Sequence, residues 1–225
     1  MAEAASKPAT EPPQADWAAT TEQLVLDQAL RLVPHEGWTT RMARLAGQAA
    51  GLSAGETELL LPQGPADLAA LLSRRHDAKA LEVLGTLDAA SLKIRERIAR
   101  GVAARIDAAL ADETAVRRLN GWFTLPQHMG LGGRLAWESA DKIWRWAGDT
   151  ATDENHYSKR VLLAGILSGA LAIRLSSGPE AAKTFTDRRI ENVMAFEKWK
   201  ATTSFRPQEM AAKFAESLGR MRFGA

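Results

Sequence analysis

The chain contains no cysteine among its 225 residues. Disulfides, thiolate metal sites and cysteine nucleophiles are therefore excluded. An excess of one charge is also missing: 29 Lys and Arg stand against 27 Asp and Glu, and a net charge of +2 does not call for nucleic acid. Uninterrupted apolar runs are short. The longest, Val161 to Leu175, is broken by Ser168 and Arg174, short of the ~18–20 residues a membrane-spanning helix needs. Alternating Val/Ile/Thr runs of strand type do not occur. Tyrosine is almost absent, one residue against seven tryptophans, most of them in the second half.

What is present is an ordinary folded composition, 46% hydrophobic and 25% charged, which excludes a disordered, collagenous or fibrous chain. The first residues, MAEAASKPATEPPQ, have neither an arginine-rich face nor a hydrophobic core. They match neither a transit peptide nor a secretory signal. The expectation is a disordered Ala/Pro-rich head over residues 1–15 of an intracellular protein.

Proline sets the skeleton. Pro34, Pro62, Pro65, Pro126, Pro179 and Pro207 punctuate the chain, and none falls between Ala66 and Leu125 or between Gln127 and Gly178. Ala, Leu, Arg and Glu fill these spans, so the fold class is all-α. From Ile94 the apolar positions Ile98, Val102, Ile106 and Leu110 recur every four residues, one buried stripe on a solvated helix. Leu24, Leu26, Ala29, Leu30 and Val33 mark an earlier helix, opened near Asp16 and closed before Pro34. A third runs from about Leu131 to Ala147. The next is capped by Asp153 and is apolar nearly all round, which predicts a place at the centre of the bundle. Ser177-Gly178-Pro179 ends it, and a further helix runs to about Lys200.

The N-terminal third reads as a helix-turn-helix, with a short helix from Thr39, a turn at Gly51-Leu52-Ser53 and a second short helix to Leu61. A DNA reader needs Arg, Lys, Asn or Gln on its second helix. That helix reads SAGETELLL, with Glu56 and Glu58 and no cation, and Arg41 and Arg44 on the preceding helix do not repair this. The motif is architecture without a reader.

His156 lies near Asp149 and Asp153, but a third ligand at paired helical spacing is missing, and Asp149 and Asp153 serve equally well as a helix end and a cap. His35, His76 and His128 are isolated. There is no glycine-rich phosphate loop, nucleophile elbow or carboxylate dyad, so no catalytic residue, cofactor or metal is expected. Trp137, Trp144 and Trp146 fit either a filled core or the wall of a hydrophobic pocket.

Residues 141–160 read DKIWRWAGDTATDENHYSKR. Ile143, Trp144, Ala147, Gly148, Asp149, Thr152, Asp153, Asn155, Tyr157, Lys159 and Arg160 resemble the hallmark of the ninth Coq protein family of coenzyme Q (ubiquinone) biosynthesis. Further agreement comes from Leu92 to Ile98, from Gly37-Trp38 and from Asp187-Arg188-Arg189-Ile190, so that the resemblance spans roughly residues 20 to 200. It implies a TetR-like helical bundle with a degenerate helix-turn-helix, usually a homodimer and without DNA binding. It also implies an accessory, non-catalytic role: binding isoprenoid quinone precursors or phospholipid and presenting them to the membrane-bound demethoxyubiquinone hydroxylase. Where the family carries a surface tryptophan before the tyrosine, this chain has His156. The runner-up is a ligand-responsive TetR-type transcriptional regulator, which would bind DNA in a salt-dependent way.

These readings divide the chain into a head (1–15), a helix-turn-helix-like subdomain (16–75), a ligand-binding bundle (76–200) and a C-terminal amphipathic helix (201–225). A lipid cavity is expected to be lined by Ile143, Trp144, Leu163, Ile166 and Leu167, with Arg160 meeting a lipid phosphate at its mouth. Asp153, Asn155, His156 and Tyr157 are expected to meet the hydroxylase. Met210, Phe214, Leu218 and Met221 share one face of the last helix, suited to a membrane surface. The location expected is bacterial and cytoplasmic, at the inner membrane.

Overall fold

The structure is a computed structural model that describes residues 14–150 and 154–202. Among the described residues it is all-α, with no strand: α1 (Gln14–Glu36), α2 (Thr40–Ala49), α3 (Ala54–Leu60), α4 (Pro65–Gly85), α5 (Ile94–Leu110), α6 (Glu113–Phe123), α7 (Pro126–Trp146), α8 (Glu154–Ser177) and α9 (Pro179–Thr202). The head, Thr152, Asp153 and the segment carrying Met210, Phe214, Leu218 and Met221 lie outside the described residues.

Local chemistry sets the helix ends. The Thr39 hydroxyl accepts from the Met42 amide at 3.1 Å, and Ser53 and Glu56 close a reciprocal capping box that opens α3. Gly51, at φ +87°, makes the left-handed turn between α2 and α3. Gly47 lets Thr57 pack directly on the α2 backbone, where any side chain at position 47 would overlap the threonine. The helix-turn-helix layout is thus present, with Glu56, Glu58 and Leu59 exposed on its second helix.

Two cores share the molecule. One gathers Val25, Leu26, Val33, Trp38, Met42 and Leu72 with residues of α6; the Trp38 indole donates to the Ala115 carbonyl at 3.1 Å. The other gathers Ile98, Val102, Ile106, Ile143, Leu163 and Leu167 from α5, α7 and α8. The expected division after residue 75 falls inside α4. There Asp77, 3% exposed, accepts from Arg105 of α5 at 2.6 Å and from Ser139 and Lys142 of α7 at 2.6 and 2.7 Å. Beside it, Nε2 of buried His76 lies 2.8 Å from Asp112. Burial pushes this imidazole down to about 4, more than the Asp112 hydrogen bond and charge raise it. His76 is therefore neutral, with Nε2–H donating.

Three expectations are corrected. The first helix does not close before Pro34 but runs to Glu36, because a proline in the last turn forfeits one backbone bond while buried Val33 and Trp38 and the Arg118 bond to the Pro34 carbonyl hold the segment. The helix expected from Leu131 starts at Pro126, a first-turn position that needs no amide donor. The apolar helix is not central all round. One face of α8 (Leu163, Ile166, Leu167, Ala170) is buried, while Val161 and Leu162 are 60% and 43% exposed. Its segment His156–Ser177 is also long and apolar enough, by length and composition, to cross a membrane, although Ser168 and Arg174 interrupt its apolar run. Packing against α7 and α9 and the buried ion pairs of Arg160 make it a helix of the bundle.

Candidate functional site

The cavity begins with a left-handed glycine. Gly148, at φ +88°, ends α7 and turns the chain toward α8. Asp149 follows and receives two cations from the first turns of α8: Lys159 Nζ on one carboxylate oxygen at 2.7 Å and Arg160 Nη1 on the other at 3.1 Å. Arg160 Nε also donates to Asp141 of α7 at 2.6 Å. Burial pushes both carboxyls up, but the hydrogen bonds and charges from Arg160 with Arg145 on Asp141, and from Lys159 and Arg160 on Asp149, outweigh it and hold both below the ordinary carboxylate range. The chain Asp141–Arg160–Asp149–Lys159 locks α7 to α8.

Beside this lock lies a cavity of about 560 Å3 between α5, α7, α8 and α9. Ile98, Leu163, Ile166, Ile190, Val193 and Met194 supply its apolar wall. Trp144 forms part of another side, its indole donating to the Lys159 carbonyl at 3.1 Å and its ring lying 5.3 Å from Lys159 Nζ. Arg95, Arg97 and Lys159 add cations. Arg97 is half-buried and donates to two backbone carbonyls, Leu92 at 2.9 Å and Ala147 at 2.7 Å. A second groove of about 460 Å3, between α5, α9 and the end of α8, mixes the cations Arg100, Arg174 and Lys183 with the carboxylates Glu96, Asp107, Glu180 and Asp187, so it shows no excess of cations.

Of the residues expected to line a lipid cavity, Trp144, Leu163 and Ile166 lie on this wall. Ile143 and Leu167 do not line it; they fill the core, and Gly101 lets Ile143 approach α5 closely. Arg160 is a correction. It is 2% exposed, and two aspartates and the His156 carbonyl occupy it, so it cannot reach a phosphate at the mouth. Sequence reasoning missed Arg95, Arg97, Ile190 and Met194. The Leu92 to Ile98 and Asp187 to Ile190 blocks carried the signal, but nothing in them says that they face each other.

In the first turn of α8, Tyr157 is 64% exposed. Its ring lies 6.0 Å from that of Trp137 and 5.2 Å from that of His156, edge to face with the histidine. The structure therefore brings His156 and Tyr157 together and adds Trp137. Asp153 and the side chain of Asn155 lie outside the described residues. The Asp149 carboxylate is engaged by two cations and is not available as a metal ligand.

Comparison with known proteins bears on this same region. Residues 129–197, from α7 through most of α9, match the family model COQ9. The chain is 27% identical over 188 residues to the ubiquinone biosynthesis protein COQ9, mitochondrial, of Rattus norvegicus, covering 76% of this chain and 57% of the relative. The Bos taurus protein of the same name matches at 27%, with 76% and 56% covered, and the Homo sapiens protein at 24%, with 76% and 56%. The matches thus span little more than half the length of these relatives. Each is named mitochondrial, and this overturns the expectation of a bacterial, cytoplasmic location.

Proposed function

We propose, from the premise that this chain is a member of the COQ9 family, that it is a non-catalytic lipid-binding accessory protein of ubiquinone biosynthesis. In this reading it shelters an isoprenoid quinone precursor and presents it to a membrane-bound hydroxylase. The observation that carries the reading is the cavity of about 560 Å3, apolar on its long wall and cationic at one part of its lining. That size falls within the range of ligand sites, roughly 300–1,000 Å3. A bundle core of this kind ordinarily closes on itself. Here Leu162 and Met194, 43% and 47% exposed, form an open apolar rim.

The neighbouring patch supports the second half of the reading. Tyr157 and His156, in the first turn of α8 beside Trp137 of α7, directly precede Ser158 and Lys159, which line the cavity. An exposed tyrosine backed by two half-buried rings is a natural anchor for a partner, and a hydroxylase docked there would sit beside the stored substrate. Homodimer formation belongs to the same reading.

Organic extraction of the purified full chain, followed by mass spectrometry, tests the proposal. A prenylated quinone precursor or phospholipid near one per chain supports it, and lipid-free protein from a lipid-rich lysate overturns it. The transcription-regulator reading keeps the α2–α3 layout in its favour. Against it, Glu56 and Glu58 are exposed where phosphates would lie. Salt-dependent retention on duplex DNA would restore it.

A further inference from the structure

The cationic part of the cavity lining is out of balance. Arg95 is exposed and has no carboxylate partner among the described residues. Arg97 is half-buried, its two bonds go to neutral carbonyls, and no carboxylate pairs with it among the described residues. Asp149 is the one carboxylate on the lining among the described residues, and it is already shared between Lys159 and Arg160. Lys159 is the exchangeable member. Its side chain is 37% exposed, whereas that of Arg160 is 2% exposed and braced by Asp141. If Lys159 turns toward a ligand, Asp149 keeps Arg160 and is not left as a lone buried charge.

We infer that the cavity selects amphiphiles with an acidic head, a carboxylate or phosphate monoester, seated among Arg95, Arg97 and Lys159 with the tail along Leu163, Ile166 and Val193. This rests on the lipid-binding half of the reading above and adds the head-group class; a neutral quinone passed on to a hydroxylase would be the weaker ligand of this site. A neutral head would leave the Arg97 guanidinium with only backbone dipoles. An acidic head supplies charge-assisted bonds, which are shorter and about twice as strong as neutral ones. The acid could come from a prenylated aromatic carboxylate or from a phosphate lipid, and the two chemistries share this site.

The test is calorimetric titration of the full chain with decanoate, decyl phosphate and decanol, all below their micelle concentrations. The inference expects at least one acid to bind tenfold or more tightly than decanol, with the preference reduced at high salt and reduced at least threefold in Arg95→Gln. Arg95 makes no hydrogen bond or ion pair among the described residues, so this variant should fold; Arg97→Ala is less suitable, because it strips two carbonyls of their donor. Whether decanoate or decyl phosphate binds better identifies the source. Met194→Trp at the half-exposed rim should weaken all three ligands, and undiminished binding in it would place them elsewhere and overturn the inference. Equal affinity for acid and alcohol overturns the head-group assignment and leaves the lipid-binding reading standing. Failure of all three ligands, and of their sixteen-carbon homologues, overturns both.

Discussion

The buried charges decide most of what single substitutions do. Arg160 resembles a headgroup ligand in the sequence because it opens an apolar helix beside Lys159. Its true partner Asp141 lies 19 residues earlier, on the preceding helix, and no local spacing shows that the two meet. Removing it by Arg160→Ala leaves two carboxylates with half their partners, and a loss of about 3 kcal/mol is expected in denaturant unfolding. Lys159→Met, at a more open position, should cost less than about 1 kcal/mol. Equal losses would contradict the assignment of Arg160 as the structural cation. His76 gives a pH signature. Its folded value of about 4 lies below its ordinary 6.5, so between those limits the unfolded chain binds more protons than the folded one. Stability should therefore fall by about 3 kcal/mol as pH drops from 6.5 to 4, and His76→Gln should flatten that slope. Asp141 and Asp149 act in a lower window, because their depressed values give stability that is present above 3.8 and lost only as pH falls through the folded values.

Helix identity was far easier to read than helix contact. Proline spacing and the four-residue stripe of α5 are local properties, and α5 runs from Ile94 to Leu110 as the stripe predicts. The turn between α2 and α3 was equally plain, since Gly51 and Ser53 announce a left-handed residue and a cap. The role of Gly47 was not visible, because it depends on Thr57 lying against it. Gly47→Ala should force these two helices apart at a cost of about 1–3 kcal/mol, read as a lowered unfolding midpoint; an unchanged midpoint would mean that the contact is slack. On the proposed reading, Tyr157→Ala at the start of α8 should weaken hydroxylase association in a pull-down with purified partner. Thermal stability should stay within about 1 kcal/mol of the parent, as for other exposed side chains. Equal loss of both would make the tyrosine a packing residue.

At the scale of the whole molecule, the all-α class follows from composition and proline placement, whereas the cavity does not. Its wall draws on four helices from Ile94 to Met194, and the same leucines and isoleucines in another register would make a solid core. Of the six residues expected at a lipid site, Trp144, Leu163 and Ile166 line this cavity, while Ile143, Leu167 and Arg160 turn into the packed interior. The division has a physical reason: hydrophobic pattern tells which face of a helix is covered, not whether the cover is protein or ligand. The C-terminal segment with Met210, Phe214, Leu218 and Met221 is proposed to meet a membrane. Full-length protein should float with anionic liposomes better than a version ending at Thr203, and equal flotation would remove that role.

The central claim is that the space between α5, α7, α8 and α9 holds a lipid. Native mass spectrometry of the purified full chain, parent against Leu162→Trp at the cavity's exposed rim, tests it most directly. The account predicts a lipid-sized mass addition on the parent that is lost or much reduced in the filled-cavity variant, with helical content unchanged. A parent free of any adduct, or an adduct retained equally by both, would contradict it.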